Sequence, residues 1–322
     1  MEEKGKKLSM LNIVAMGIGG SIGTGIFIML GYGIAYTGRS IIFASSFGCL
    51  YMLFASWYNM GFSSMFTLSG GDSDVRWMLF SPLLTGVAAW FQIISFLVLA
   101  GHSLAITEFA ATLWPQINNF KTVFAIGVLT LCVLCTVRGS RILTLIQNYV
   151  VMALAVALVL FIAFGVPQVN AAKFFSDADG GLFRNGFGGF VSAVSVMSFA
   201  CMGTAAKINM TAVTKNPKRT LPLASIITTI IVAVVYSLMA FVASGILPYE
   251  EIAGANISVT AQAIMPTWGF LFFVVGGGIF AVGSTMLSTV ANLRYPAQRI
   301  AEDGWIPKAF MKTTKGGYPW VI

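Results

Sequence analysis

Apolar segments of about 20 residues recur along the whole chain, and no other feature constrains its fold so strongly. A helix of that length crosses the roughly 30 Å hydrocarbon core of a bilayer. Apolar residues make up 57% of the 322 residues and charged residues 9%, whereas a soluble domain carries about 25% charged residues. The sequence therefore predicts an all-α polytopic membrane protein.

Eight of these segments are predicted to be transmembrane spans. They are 9–36, 41–67, 81–113, 121–137, 142–165, 187–214, 221–247 and 261–291. The first is too long, and lacks the small-residue cleavage site, to be a removable signal peptide. We expect a single transmembrane domain over 1–322, with an amphipathic surface helix and a basic loop after the eighth span.

The distribution of lysine and arginine predicts the orientation of the spans. If the N-terminus is cytoplasmic, most of the 19 cationic residues fall in cytoplasmic segments, and Lys207 lies within a span. Those that fall outside are Arg39, Lys121, Lys173 and Arg184. Because such a bias sets the topology of membrane proteins, we expect a multi-pass protein of the cell membrane with both termini cytoplasmic. The bilayer also accounts for the net charge of +8, so no nucleic-acid partner is expected.

The cysteines carry no clear chemical signal. Cys49, Cys132, Cys135 and Cys201 all fall within predicted spans. The spacing of Cys132 and Cys135 occurs in redox and metal sites, but neither histidine nor an acidic residue accompanies them in the fourth span. We predict that all four are small apolar filler, and we expect no metal and no cofactor. An enzyme is disfavoured because no span combines an acid, a base and a nucleophile.

A cluster of glycines in the first span, GIGGSIGTGIF at residues 17–27, disfavours a continuous helix by about 1 kcal/mol per glycine relative to alanine. A dinucleotide-binding fingerprint would need glycine in place of Ile22. Two interpretations remain. Gly19 and Gly23 have the spacing that lets two membrane helices pack closely, or the helix is unwound in mid-membrane. We favour the unwound helix.

An unwound helix would create a binding site, because lipid cannot hydrogen-bond the backbone groups that it frees. The N-terminus of the outer half-helix would favour a carboxylate, and carbonyl groups at the break would accept an ammonium group. A zwitterionic amino acid satisfies both. The sixth span has a comparable stretch, SFACMGTAAKINM at residues 198–210. Two interrupted helices in corresponding positions are typical of inverted-repeat transporters.

Four motifs resemble those of the amino acid–polyamine–organocation permeases, specifically bacterial amino-acid permeases. They are GIGGSIGTGIF in the first span, KNPKRTLP after the sixth, RIAEDGWIPKAF after the eighth and GYPWVI at the C-terminus. The resemblance implies an inverted-repeat five-plus-five transporter fold, with the first and sixth spans broken at mid-membrane. The first repeat would cover 1–166, and an incomplete second repeat would cover 187–322. The implied activity is alternating access on amino-acid-like solutes.

The resemblance also implies a substrate site at the two breaks. The substrate carboxylate would meet backbone and hydroxyl groups of Ser21, Ile22, Gly23, Thr24 and Gly25. The amino group would meet carbonyl groups of the sixth span. These positions are Phe199, Ala200, Cys201 and Met202. Thr204 stands where the family usually has a gating aromatic side chain, so the usual outer lid is not expected here.

Ion coupling is less well defined by the sequence. The candidates are His102, Glu108, Lys207, Ser288 and Thr289. Ionisable groups within a span are functional candidates, although a hydrogen-bonded neutral histidine or a snorkelling lysine is the structural alternative. The hydroxyl cluster of the eighth span, which also includes Ser284 and Thr285, offers oxygen ligands for Na⁺ but also holds membrane helices together. The fifth span lacks the lysine of some proton-coupled members; we favour proton coupling or exchange, and Na⁺ stays open.

The chain is shorter than the family usually is. Members usually have twelve spans, and this sequence stops as the ninth would begin, so we expect a truncated or fragmentary chain. The leading function is a secondary active transporter of amino acids. The alternative is a truncated, non-transporting relative or a membrane subunit. An ion channel is disfavoured because the sequence has no charged ring or pore-loop repeat. The sequence does not predict the oligomeric state or the amino acid transported.

Overall fold

Helices account for nearly all of the chain that the computed structural model describes. The described residues are 9–23, 25–66, 75, 78–79, 81–94, 97–137, 140–175, 181–202, 214–287, 289, 301, 304–305 and 307–312. Within these ranges the helices are joined by turns, and no extended strand occurs. The prediction of an all-helical chain is therefore confirmed.

The helices follow the predicted spans closely. The α-helices are α1 (Met10–Ser21), α2 (Leu30–Thr37), α3 (Ile41–Ala55), α4 (Trp57–Met65), α5 (Pro82–Ile94), α6 (Val98–Leu113), α7 (Lys121–Val137), α8 (Ser140–Gly165), α9 (Ala171–Phe174), α10 (Gly186–Ala200), α11 (Pro217–Ile246), α12 (Tyr249–Ile252), α13 (Ser258–Ile264) and α14 (Thr267–Phe272). Two π-helical segments, Gly25–Met29 before α2 and Phe273–Ile279 after α14, interrupt the first and eighth spans.

Five helical segments are long and apolar enough to cross a membrane. They are Ile13–Ala55, Pro115–Leu134, Tyr149–Gln168, Pro217–Ile246 and Thr267–Leu287. The first contains two of the predicted spans, and the shorter apolar helices α6 and α10 lie in the predicted third and sixth spans. These segments support a multi-pass membrane protein. The count of eight spans, the five-plus-five repeat and the orientation stay predictions.

The helices pack in two groups. In the first group α11 packs against α1, α3 and α4, and α10 packs against α2 and α3. In the second group α6 packs against α7 and against Phe273–Ile279, which also contacts α8. The first group thus contains the two helices that end at the predicted breaks, while the second contains most of the predicted third, fourth, fifth and eighth spans.

A cluster of buried phenylalanine rings joins the two groups. Phe27, just beyond the first break, lies 5.8 Å from Phe109 of α6 and 5.4 Å from Phe273, measured between ring centroids. Glycine makes room for these rings, since a Cβ at Gly277 would lie 2.9 Å from the Phe27 ring and one at Gly278 would lie 2.7 Å from the Phe109 ring. The GGG sequence of the eighth span therefore has a steric cause, the close approach of its backbone to aromatic rings.

The loops that were predicted to share one side of the membrane meet at one end of the molecule. The Ser40 N–H donates to the Leu182 carbonyl at 2.9 Å, and the Tyr249 hydroxyl donates to the Ala35 carbonyl at 2.7 Å. These contacts join the segments after the first span, before the sixth and after the seventh. At the opposite end, Ile13 of α1 packs with Leu221 of α11. This arrangement agrees with the predicted alternation of the spans.

Candidate functional site

The helix of the first span is interrupted at the glycine cluster. α1 ends at Ser21, Ile22 adopts an extended backbone with φ −85° and ψ 93°, and the π-helix begins at Gly25. Ser21, Ile22, Gly23 and Gly25 are all buried. The predicted break therefore lies at residues 22–24, where Thr24 itself is outside the described residues.

The same glycines also permit close packing. A Cβ at Gly19 would lie 2.7 Å from Val151 of α8. A Cβ at Gly23 would collide with Oγ1 of Thr285 in the eighth span. The two interpretations that the sequence left open are thus combined, because the helix is interrupted and its glycines contact neighbouring spans.

The other predicted half of the site lies at the end of α10. The helix ends at Ala200, and Cys201 and Met202 form a turn. Phe199 and Met202 are 49% and 51% exposed, whereas Ala200 and Cys201 are buried. The end of α10 also touches the first break directly, since a Cβ at Gly25 would lie 2.8 Å from the backbone of Ala200. The two predicted half-sites are therefore adjacent.

A residue that the sequence analysis did not single out links the two breaks. The hydroxyl of Tyr236, in the middle of α11, lies 2.6 Å from the Ser21 carbonyl oxygen and 3.2 Å from the Ala200 carbonyl oxygen. The last carbonyl groups of a helix have no partner within it, and this fully buried hydroxyl serves both helix ends. Its only signal in the sequence is a polar aromatic residue within an apolar span, which, when buried, usually has a hydrogen-bond partner.

Cys201 forms a disulfide with Cys49 of α3, with their Cα atoms 5.4 Å apart. The prediction that these two cysteines are mere filler is therefore wrong. The two helices come together because Gly48 has no side chain, as a Cβ there would lie 2.8 Å from the backbone of Met197. The disulfide attaches the first residue after α10 to the second predicted span. Cys132 is buried in the core, as a filler residue would be.

Two coupling candidates of α6 lie in different surroundings. His102 is 7% exposed, and its Nδ1 lies 2.8 Å from the Val98 carbonyl oxygen of the same helix. Glu108 is exposed. The structure does not bring Glu108 into the core with the breaks. Of the remaining candidates, Thr204, Lys207 and Ser288 lie outside the described residues.

The hydroxyl cluster of the eighth span borders the first break. Thr285, the neighbour of Gly23, donates to the Ala281 carbonyl at 3.0 Å, and Thr289 donates to the Thr285 carbonyl at 2.8 Å. Ser284 is buried, and its Oγ has no hydrogen-bond partner among the described residues. A buried hydroxyl left without a partner costs about 1–3 kcal/mol, so a ligand, an ion or a water at this position would lower the energy.

Comparison with known proteins decides between the transporter families that use broken helices. A sequence model of the amino acid permease family matches residues 8–322. The chain belongs to this family. The resemblance drawn from the four motifs is therefore confirmed, and the match includes both breaks, Tyr236 and the hydroxyl cluster of the eighth span.

Similar proteins among the amino acid permeases and their relatives come from bacteria and archaea. An uncharacterized protein of Methanocaldococcus jannaschii is 26% identical over 99% of this chain and 75% of its own length. The branched-chain amino acid permease of Bacillus subtilis is 23% identical over 95% of this chain and 69% of its own length. The D-serine/D-alanine/glycine transporter of Escherichia coli K12 is 29% identical over 98% and 69%. The characterised proteins among these are named as transporters of amino acids.

Proposed function

We propose that this amino acid permease is a secondary active transporter that moves amino acids across the cell membrane by alternating access. The observation that carries the proposal is the convergence of two helix ends, Ser21 of α1 and Ala200 of α10, on the hydroxyl of Tyr236. Helix ends that meet inside a membrane protein offer backbone groups to a polar ligand where lipid offers none. The non-transporting alternative has no comparable observation in its favour.

The directions of the helices indicate how an amino acid would lie in the site. The segment from Gly25 to α2 begins at the break and presents N–H groups and the positive end of its dipole, which stabilise a carboxylate. α1 and α10 both end there and present carbonyl groups, which accept hydrogen bonds from an ammonium group. We therefore propose residues 21–25 as the carboxylate side and residues 199–202 as the amino side of one site.

Binding of a radiolabelled amino acid to the purified chain tests this site. In Gly23→Leu the new side chain occupies the space beside Thr285, and we expect binding to be abolished. Gly127→Leu is the matched control, because a Cβ at Gly127 of α7 has no atom within 4 Å. A folded Gly23→Leu protein that binds as tightly as the control would show that the glycines serve packing alone. If Gly23→Leu does not fold, Ser21→Gly with the same assay decides whether residues 21–25 contact the ligand.

We propose that transport is coupled to protons or proceeds by exchange. Sodium is the second candidate, and the buried hydroxyl of Ser284 beside the first break favours it, because hard cations bind oxygen ligands. Uptake into proteoliposomes with Na⁺ replaced by choline separates the two. Uptake that persists without Na⁺ and follows a pH gradient supports proton coupling. Uptake that requires Na⁺ and is lost in Ser284→Ala assigns the coupling ion to Na⁺.

We further propose that the N-terminus is cytoplasmic. The cationic bias of the sequence supports this orientation. Cysteine introduced at the exposed positions Glu251 and Lys218, which lie at opposite ends of α11, should react differently with a membrane-impermeant thiol reagent. Glu251→Cys should be labelled from outside the cell and Lys218→Cys should not. The reverse pattern would overturn the orientation.

A further inference from the structure

A small cavity lies at the end of the molecule where the predicted outer loops meet. It is enclosed by the end of α2, the turn Gly38–Ser40, the segment before α10 and the junction of α11 with α12. Its volume is about 30 Å³, which exceeds the roughly 10–15 Å³ that a cavity needs to hold one water molecule. The cavity can therefore hold a small ion or one end of a larger ligand.

Two arginine side chains from different parts of the chain line this cavity. Arg39 lies in the turn after α2, and Arg184 precedes α10. Backbone hydrogen bonds hold their segments together, since the Arg184 N–H donates to the Thr37 carbonyl at 3.3 Å and the Ser40 N–H donates to the Leu182 carbonyl. Two of the four cations predicted to face the outside thus converge on one cavity, in a protein whose outer side is otherwise poor in cations.

Neighbouring groups orient both guanidinium groups. Arg39 donates from Nη1 to the Phe174 carbonyl at 3.3 Å and lies 5.8 Å from the centroid of that ring. Arg184 lies 3.9 Å from the ring centroid of Tyr249, and its Nη2 donates to Oε1 of Glu250 at 3.3 Å. A guanidinium group has five N–H donors, more than one or two such partners occupy. Each arginine is therefore positioned and still able to donate to a ligand in the cavity.

The charges and the walls of the cavity favour an anion. The carboxylate that faces these arginines from α12 is Glu250, whose side chain is 71% exposed, so water screens its charge. The remaining walls are formed by hydroxyl groups and by apolar side chains such as Ile34 and Leu247. Because apolar walls lower the local dielectric constant, the attraction between a guanidinium group and an anion is stronger there than in bulk water.

We propose that this cavity is an anion subsite, in which Arg39 and Arg184 bind either a small inorganic anion such as chloride or the carboxylate of an amino acid that arrives from outside. The inorganic anion requires nothing of the proposed transport function, whereas the amino-acid carboxylate rests on it. In both cases the ligand competes with Glu250 for Arg184.

The inorganic anion is tested by thermal unfolding of the purified full chain. Sodium chloride is compared at equal ionic strength with sodium isethionate, whose anion is too large for the cavity. A ligand that binds only the folded state raises the unfolding midpoint, and we expect chloride to raise it by about 2–4 °C. The gain should be lost in Arg39→Gln and Arg184→Gln and kept in Lys121→Gln, the matched removal of another predicted outer cation. Glu250→Gln, which removes the competing carboxylate, should increase it.

The amino-acid carboxylate is tested by uptake into proteoliposomes in isethionate. If it is the ligand, Arg39→Gln should raise KM for uptake from the outer side by about fivefold or more and leave kcat unchanged. Arg39→Lys should restore part of the loss. Chloride stabilisation without a KM effect assigns the subsite to an inorganic anion, and the KM effect without stabilisation assigns it to the substrate. Neither effect, in a protein that transports normally, would overturn the subsite while the proposed function stands.

Discussion

The two predicted breaks are held in place by different means. At the first break the chain approaches its neighbours closely because Gly23 and Gly25 have no side chains, which lets Thr285 and Ala200 come into contact. At the end of α10 the chain is held by bonds, since the Ala200 carbonyl accepts from a tyrosine hydroxyl and Cys201 is joined to another helix. The first break depends on absent atoms and the second on specific long-range partners.

This difference teaches which changes each break tolerates. A glycine in close contact with backbone tolerates no added atom, because the backbone it touches cannot rotate away. A hydrogen bond or a disulfide can be removed by one substitution, and the cost is that of one interaction. We therefore expect substitutions at the first break to have the largest effect on substrate affinity, removal of the shared hydroxyl to have a smaller effect, and removal of the disulfide the smallest.

The largest effect is expected for Gly25→Ala. The added Cβ would lie 2.8 Å from the Ala200 backbone, so the two breaks must move apart. Overpacking of this kind costs about 1–3 kcal/mol, and the separated half-sites should bind amino acids at least about 10-fold more weakly, since each 1.4 kcal/mol is tenfold. Gly188→Ala in α10, where a Cβ meets no atom within 4 Å, is the control. Equal affinities in the two variants would show that the contact between the breaks does not shape the site.

A smaller effect is expected for Tyr236→Phe. The variant keeps the ring but leaves the Ser21 carbonyl without its hydroxyl donor, and an unsatisfied buried acceptor costs about 1–3 kcal/mol. Because Ser21 and Ala200 end the two broken helices, we expect both the unfolding temperature and the affinity for amino acids to fall. Ser237→Ala is the control, since its hydroxyl, one residue further along α11, bonds to the Ile42 carbonyl and not to a break. A loss of affinity in Ser237→Ala as large as in Tyr236→Phe would mean that any weakening of α11 disturbs the site.

The contrast between the breaks also explains what the sequence could predict. Glycine acts on its own helix, so the cluster at residues 17–27 showed where the first span is interrupted. The apolar periodicity likewise placed the helices to within a few residues. Tyr236 lies 215 residues from Ser21 along the chain, and no spacing rule connects them. The pairing of Cys49 with Cys201 spans 152 residues and became apparent only when the packing at Gly48 brought two helices together.

The smallest effect on affinity is expected when the disulfide is removed. A disulfide stabilises mainly by restricting the unfolded chain, by about 2–4 kcal/mol, so Cys49→Ser and Cys201→Ser should each lower the unfolding temperature. The Ala200 carbonyl keeps its bond to Tyr236 in these variants, so the affinity for amino acids should change by less than about threefold, below 1 kcal/mol.

The double variant distinguishes a disulfide from two independent cysteines. Residues that act as one unit are not additive, so Cys49→Ser with Cys201→Ser should be no less stable than either single variant, and Cys132→Ser should add its effect independently. Additive losses at Cys49 and Cys201 would contradict the bond. A loss of affinity as large as that of Tyr236→Phe would instead show that the bond to α3 positions the carbonyl groups at the end of α10. The second break would then depend on α3 as much as on α11, and the order of effects proposed for the two breaks would be reversed.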